Sequence, residues 1–63
     1  MPLVEISLLS GRSPEMVREL IRRVHDAVQA ALEVPAGSVR VIVREVPPEH
    51  WAVGGVTKAE QGR

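Results

Sequence analysis

The chain has 63 residues, eight of them basic and eight acidic, for a net charge of zero, and it contains no cysteine. A chain this short is one domain at most, taken here as residues 1–63, and it buries only about 60% of the surface exposed by its unfolded form. Balanced charge excludes the electrostatic footprint of a nucleic-acid binder, the missing thiols exclude a disulfide framework or a thiolate metal centre, and no apolar run reaches the roughly 20 residues of a membrane span.

Leu3 to Leu9 alternates Val4, Ile6 and Leu8 with Leu3, Glu5, Ser7 and Leu9, the period of a strand. Ser10-Gly11-Arg12-Ser13-Pro14 interrupts it, with Ser13 placed to cap a helix and Pro14 at its first position, where a missing N–H costs nothing. The predicted helix carries an apolar stripe of Val17, Leu20, Ile21, Val24, Ala27, Val28, Ala31 and Leu32. On its wet side Glu19 and Arg23, and Arg22 and Asp26, are spaced as solvated ion pairs. Pro35 ends the helix, Gly37 and Ser38 complete a short loop, and Val39 to Val46 is β-branched enough for a second strand. After Pro47-Pro48, the residues Trp51, Val53 and Val56 around Gly54-Gly55 predict a small hairpin arm, and Ala59 to Arg63 read as a frayed end.

Strand, helix, strand in that order predicts an α+β fold: a β-α-β protomer with a parallel strand pair, a right-handed crossover and a C-terminal hairpin arm. One helix covers only one face of the pair, yet both strands carry apolar residues on both faces, and parallel strands are normally covered twice. With 44% hydrophobic residues and Trp51 as the one aromatic, the core is built from Val, Leu, Ile and Ala. An unstapled chain of this size is expected to share that core with copies of itself, which would also protect its strand edges. A soluble, cytoplasmic oligomer is the expectation, with no nucleic acid and no membrane among its partners.

No Ser/His/Asp arrangement, phosphate-binding glycine loop or metal cluster can be read from the chain, so no metal is expected. His25 and His50 read as surface or packing residues, and the acids as members of helical ion pairs or loops. Pro2 differs, because removal of Met1 would leave its nitrogen a secondary amine, able to act as a base. Met-Pro starts are frequent and usually mean nothing, so Pro2 needs supporting residues. Arg12, in the strand-to-helix loop, reads by itself as a solvated charge. Arg40 lies inside an otherwise apolar strand, and a buried guanidinium requires an anionic partner such as a bound carboxylate. Arg44 shares the parity of Arg40 and could meet a bound carboxylate in the same way, although a subunit-interface ion pair is its more ordinary reading; Trp51 alone reads as a packing residue.

Met1-Pro2 before an apolar strand, Gly11-Arg12-Ser13 before a long helix, Ser38-Val39-Arg40-Val41 opening the second strand, and an aromatic ahead of Gly54-Gly55 together resemble the 4-oxalocrotonate tautomerase family. The likeness runs from Pro2 to about Gly55 and rests on joint order and spacing, not on any single motif. It implies a tautomerase-like protomer assembled as a homohexamer, a trimer of dimers, with sites shared between subunits. It also implies Pro2 as catalytic general base, Arg40 as the arginine at the 2-hydroxy/2-oxo end of the substrate, Arg12 as the one that grips the far carboxylate, and Trp51 as the hydrophobic wall. Type members carry phenylalanine where this chain has Trp51, and Ser10 replaces an acidic residue common before Gly-Arg.

The implied reaction is ketonisation of a 2-hydroxydienoate, such as 2-hydroxymuconate, to the conjugated 2-oxo-enoate, by an isomerase that uses no cofactor. The substrate would be a small dicarboxylate or 2-oxo acid, in aromatic hydrocarbon catabolism or specialised metabolism. An ordinary α-amino group titrates at about 7.7–8.0 and proline's amine higher still. An arginine about 6 Å away at an effective dielectric of about 20 would oppose the ammonium by about 2.8 kcal/mol, or roughly two pKa units. The alternatives are a related proline-dependent hydratase, dehalogenase or conjugate-addition activity, and a non-catalytic oligomeric anion-binding protein.

Overall fold

The computed structural model describes residues 1–62. Strand β1 (Leu3–Leu9) leads into helix α1 (Pro14–Leu32), a 3-10 turn (Ala36–Ser38) and strand β2 (Arg40–Val46). A second 3-10 turn (Pro48–His50) precedes the two-residue strands β3 (Ala52–Val53) and β4 (Val56–Thr57) and the single-turn helix α2 (Lys58–Gln61). β1 and β2 pair in parallel from Leu3 opposite Arg40 to Leu9 opposite Val46, the β-α-β unit expected from the pattern. No helix among the described residues is long and apolar enough to cross a membrane.

Local chemistry explains the boundaries. The Ser13 hydroxyl accepts the Met16 N–H at 3.2 Å, capping α1, a contact worth about 1 kcal/mol in comparable helices. The helix stops before Pro35, as Glu33 takes the left-handed conformation at φ 55° and donates its N–H to the Gln29 carbonyl. Gly54 and Gly55 stand at φ 61° and 82°, the positive pair that a two-residue type I′ hairpin demands. The end of the chain is more ordered than its composition predicts. Thr57 and Glu60 form a reciprocal capping box that starts α2, satisfying two orphan N–H groups at once; Arg63 lies outside the described residues. Val39 precedes β2 as the cap of the 3-10 turn, so the strand begins one residue later than expected.

The helix covers one face of the strand pair. Val4, Ile6, Leu8, Val41 and Val43 are half-buried on that side, whereas Leu3, Glu5, Ser7, Arg40, Ile42 and Arg44 are exposed on the other. The stripe on α1 is only partly used: Val17, Leu20, Ile21, Val24 and Val28 are half-buried, but Ala27, Ala31 and Leu32 remain exposed. Among the described residues only Val39, 8% exposed, qualifies as core. The radius of gyration is 14.8 Å, against about 10.6 Å for a compact chain of this length. Accessible surface is 4661 Å², against about 4,000 Å² for a folded monomer of this mass.

Such a protomer lacks a finished interior, and parallel strands left bare on one face are rare in isolated domains. Light scattering at micromolar concentration is expected to return a multiple of the 6.9 kDa protomer mass. Ile42 is 41% exposed in the protomer, so Ile42→Asp would cost little in a monomer. In an assembly that covers this face it is expected to dissociate the subunits, because it buries an unpaired charge; a monomeric wild type would refute the argument. Glu33→Gly, at the left-handed position, is expected to raise stability by about 0.5–1 kcal/mol, read as a higher melting temperature.

Candidate active site

Parallel pairing decides where each candidate side chain can stand. Pro2 and Arg40 precede and open the two strands at their shared amino end, and the Arg40 N–H donates to the Pro2 carbonyl at 2.9 Å, continuing the ladder. Arg12 and Trp51 follow the carboxyl ends of β1 and β2, where the Ser10 N–H donates to the Val46 carbonyl at 2.9 Å. A seven-residue strand spans about 20 Å. The protomer therefore divides the four residues into two pairs at opposite ends, Pro2 with Arg40 and Arg12 with Trp51.

Arg40 is not the buried guanidinium expected from the sequence pattern. It is the first residue of β2, exposed on the uncovered face, and one NH1 proton goes to the Gly37 carbonyl at 2.7 Å. Four of its five N–H donors are left for a ligand. At the opposite end Gly11 turns the chain at φ 126°, a conformation suited to glycine. Arg12 folds back there to donate NH1 to the Leu9 carbonyl at 3.1 Å, otherwise facing solvent. Trp51 is half-buried at the root of the arm, its carbonyl accepting the Lys58 N–H at 2.8 Å.

Neither of these two arginines takes part in an ion pair among the described residues. Among the described residues Arg22, Arg23, His25 and Arg44 are engaged by carboxylates, which leaves Arg12, Arg18 and Arg40 without an acidic partner. Glu19, bonded first by Arg22 and then by Arg23, has its carboxyl pulled down to about 2, so this carboxylate stays ionised and is not poised as a proton carrier. Arg44 binds Glu5 at 2.8 Å across the strands, within the protomer.

A concavity of about 430 Å³ lies elsewhere, along α1, bordered by Glu15, Met16, Glu19, Leu20 and Arg23. Its Glu19 and Arg23 bind each other, and none of the four candidate residues lines it, so it carries no chemistry for a substrate acid. His25, read from the sequence as a surface or packing residue, makes a long-range contact. It bridges 11 residues to the Ala36 carbonyl, a closure that no local spacing announces; the adjacent Asp26 was the one available hint.

Comparison with known proteins identifies the family. The pattern of the family described as Tautomerase enzyme matches residues 2–61. A 2-hydroxymuconate tautomerase from Stutzerimonas stutzeri is 43% identical over 63 residues, 100% of both chains. TomN, a 4-oxalocrotonate tautomerase homologue of the tomaymycin biosynthetic pathway, superposes with a TM-score of 0.92 at 46% identity, over 97% of this chain and 94% of its own. A heterohexamer 4-oxalocrotonate tautomerase from Chloroflexus aurantiacus J-10-fl does so with a TM-score of 0.88 at 50% identity, over 95% and 97% of the two chains. Sequence and backbone thus agree over nearly the full length, and the chain belongs to the tautomerase enzyme family.

Proposed function

We propose that this protein, once Met1 is removed, ketonises a 2-hydroxydienoate such as 2-hydroxymuconate to the conjugated 2-oxo-enoate, as a homohexamer with sites shared between subunits. The observation that carries this reading is the division of Pro2 and Arg40 from Arg12 and Trp51 by the length of the sheet. Two half-sites about 20 Å apart cannot grip one small dicarboxylate within a protomer. They can do so where the amino end of one sheet meets the carboxyl end of another, and the heterohexameric relative supports assembly into a hexamer.

With Met1 attached, the Pro2 nitrogen is an amide without a useful lone pair. Met1 is 84% exposed and so open to an aminopeptidase, whose action would free the secondary amine. In the reaction the free amine takes the dienol hydroxyl proton, the electrons shift along the diene, and the resulting ammonium returns that proton to the far carbon, regenerating the free base. The ketone and the remaining double bond stay conjugated.

Arg40 supplies the cation at the end where negative charge develops on oxygen. Its planar fork also suits the adjacent carboxylate. Arg12 of a neighbouring subunit holds the distant carboxylate and fixes the orientation, and Trp51 walls off water, which strengthens both contacts. Guanidinium groups near the amine disfavour its ammonium form and so release free base near neutral pH. The relative named for 2-hydroxymuconate supports the choice of substrate class.

The ultraviolet absorbance of 2-hydroxymuconate provides the assay, with intact mass establishing removal of Met1. Pro2→Ala is expected to lower kcat by about 10²-fold or more, and Arg40→Ala by about 10²–10³-fold; normal rates in Pro2→Ala would remove the proposed base. Arg12→Ala is expected to cost about 10²-fold in kcat/KM through lost orientation. Random co-assembly of Pro2→Ala with Arg12→Ala subunits should restore about a quarter of the sites, because each site draws its halves from different copies. Sites confined to one protomer would regain nothing.

A further inference from the structure

Two side chains grip the turn that delivers Arg40 to the sheet. From α1, His25 sets Nε2 3.1 Å from the Ala36 carbonyl oxygen. From β2, Arg40 donates NH1 to the next carbonyl, that of Gly37, at 2.7 Å. The turn is otherwise held from within, with the Ser38 hydroxyl and N–H on the Pro35 carbonyl at 2.7 and 3.0 Å and the Val39 N–H on the Ala36 carbonyl at 3.4 Å. His25 is thus the one side chain among the described residues that hydrogen-bonds this turn to the helix.

Its second ring nitrogen is committed too. Nδ1 stands 3.2 Å from Asp26 Oδ1, and the other oxygen of Asp26 accepts Arg22 at 3.1 Å. Both atoms facing the imidazole, a carbonyl and a carboxylate oxygen, are acceptors without a proton. A neutral ring has one N–H and satisfies one of them; the imidazolium has two and satisfies both.

We infer that His25 is a positioning residue for the Arg40 end of the site: its imidazolium, braced by Asp26, ties the Ala36–Ser38 turn to α1 and thereby sets where the Arg40 guanidinium points. The inference rests on the reading of Arg40 as the group that receives the substrate. The charged groups around His25 are Asp26 on its own helix and, through it, Arg22. The turn offers only carbonyls, and β2 offers Arg40 one carbonyl further on. The bond from Asp26, then that from Ala36, raises the pKa of His25 above its ordinary 6.5.

A pKa raised in the folded state means that the contribution is complete below about 6.5 and is lost as pH climbs through the folded value. Above that point one of the two bonds is gone, the turn loosens and Arg40 is less well placed. Substrate binding weakens while the proton-carrying amine is untouched.

Steady-state kinetics from pH 5.5 to 9, with amide hydrogen exchange on the same proteins, test the inference. In His25→Ala, KM is expected to rise about three- to tenfold at pH 6, with a fall in kcat no larger than that because Arg40 serves both the carboxylate and the developing oxyanion, a loss typical of one hydrogen bond. The wild-type rise of KM with pH should vanish in this variant. The Ser38 and Val39 amides should exchange faster in it, a readout that needs no substrate. His25→Gln, which keeps a donor at the Nε2 position without a charge, should restore most of the KM and slow those amides again, at a KM independent of pH. Unchanged KM and unchanged exchange in His25→Ala, beside a crippled Arg40→Ala, would overturn the role of His25 and leave the proposed reaction standing. Normal turnover in Arg40→Ala would instead remove the reading on which the inference rests, whatever His25 does to the turn.

Discussion

The seven-residue parallel ladder between Leu3–Leu9 and Arg40–Val46 constrains both the architecture and the chemistry of this protein. Parallel pairing places like ends together, so the residues opening the two strands become neighbours and those following them gather at the far end. Pro2 and Arg40 are joined in this way by a backbone hydrogen bond, although 38 positions separate them in the chain. The same rule removes Arg12 and Trp51 to the opposite pole. Any chemistry that needs both groups must therefore involve more than one copy, and the proposed shared site follows from this arrangement.

Parallel pairing also demands cover on both faces, which one 19-residue helix cannot supply. The uncovered face is not uniformly apolar: Leu3 and Ile42 share it with the Glu5–Arg44 ion pair. In the exposed protomer such a pair contributes little. Under cover it becomes selective, since separating the partners there would strand a buried charge. The face thus combines apolar area that favours association with a charged element that disfavours misaligned packing. The shape is extended, 45 by 24 by 14 Å, in keeping with a sheet that one helix covers on one face only.

Between helix and second strand the chain must reverse direction within a few residues, and each device there is local. Glu33 accepts a left-handed backbone to close α1, Pro35 prevents the helix from continuing, and the 3-10 turn at Ala36–Ser38 is closed by the Ser38 side chain and backbone on Pro35. His25 and Arg40 then bond consecutive carbonyls of that turn from opposite sides. The result couples a surface network on α1, running from Glu19 through Arg22 and Asp26 to His25, to the base of a candidate substrate-binding arginine. The imidazole is the one member of that network whose charge changes near neutral pH.

The sequence by itself determined the elements, because each is written in short-range terms. Alternation made β1, the three-and-four spacing with Ser13 and Pro14 made α1, β-branching made β2, and Gly54-Gly55 made the hairpin. It also carried the family, through the joint order of Pro2, Gly11-Arg12, Arg40 and Trp51. Position was not legible. The pattern put Arg40 inside a buried strand, whereas the structure opens β2 with it on the exposed face; burial depends on what covers a face, which strand periodicity does not encode. The end of the chain read as frayed because composition does not reveal the reciprocal bonds of Thr57 and Glu60. His25 read only as a surface or packing residue because its partner, the Ala36 carbonyl, arrives only when the chain folds back. Only the tertiary structure decided which candidates stand together, since strand register is a long-range property set by pairing, and it separated Arg12 from Pro2 by the length of a strand.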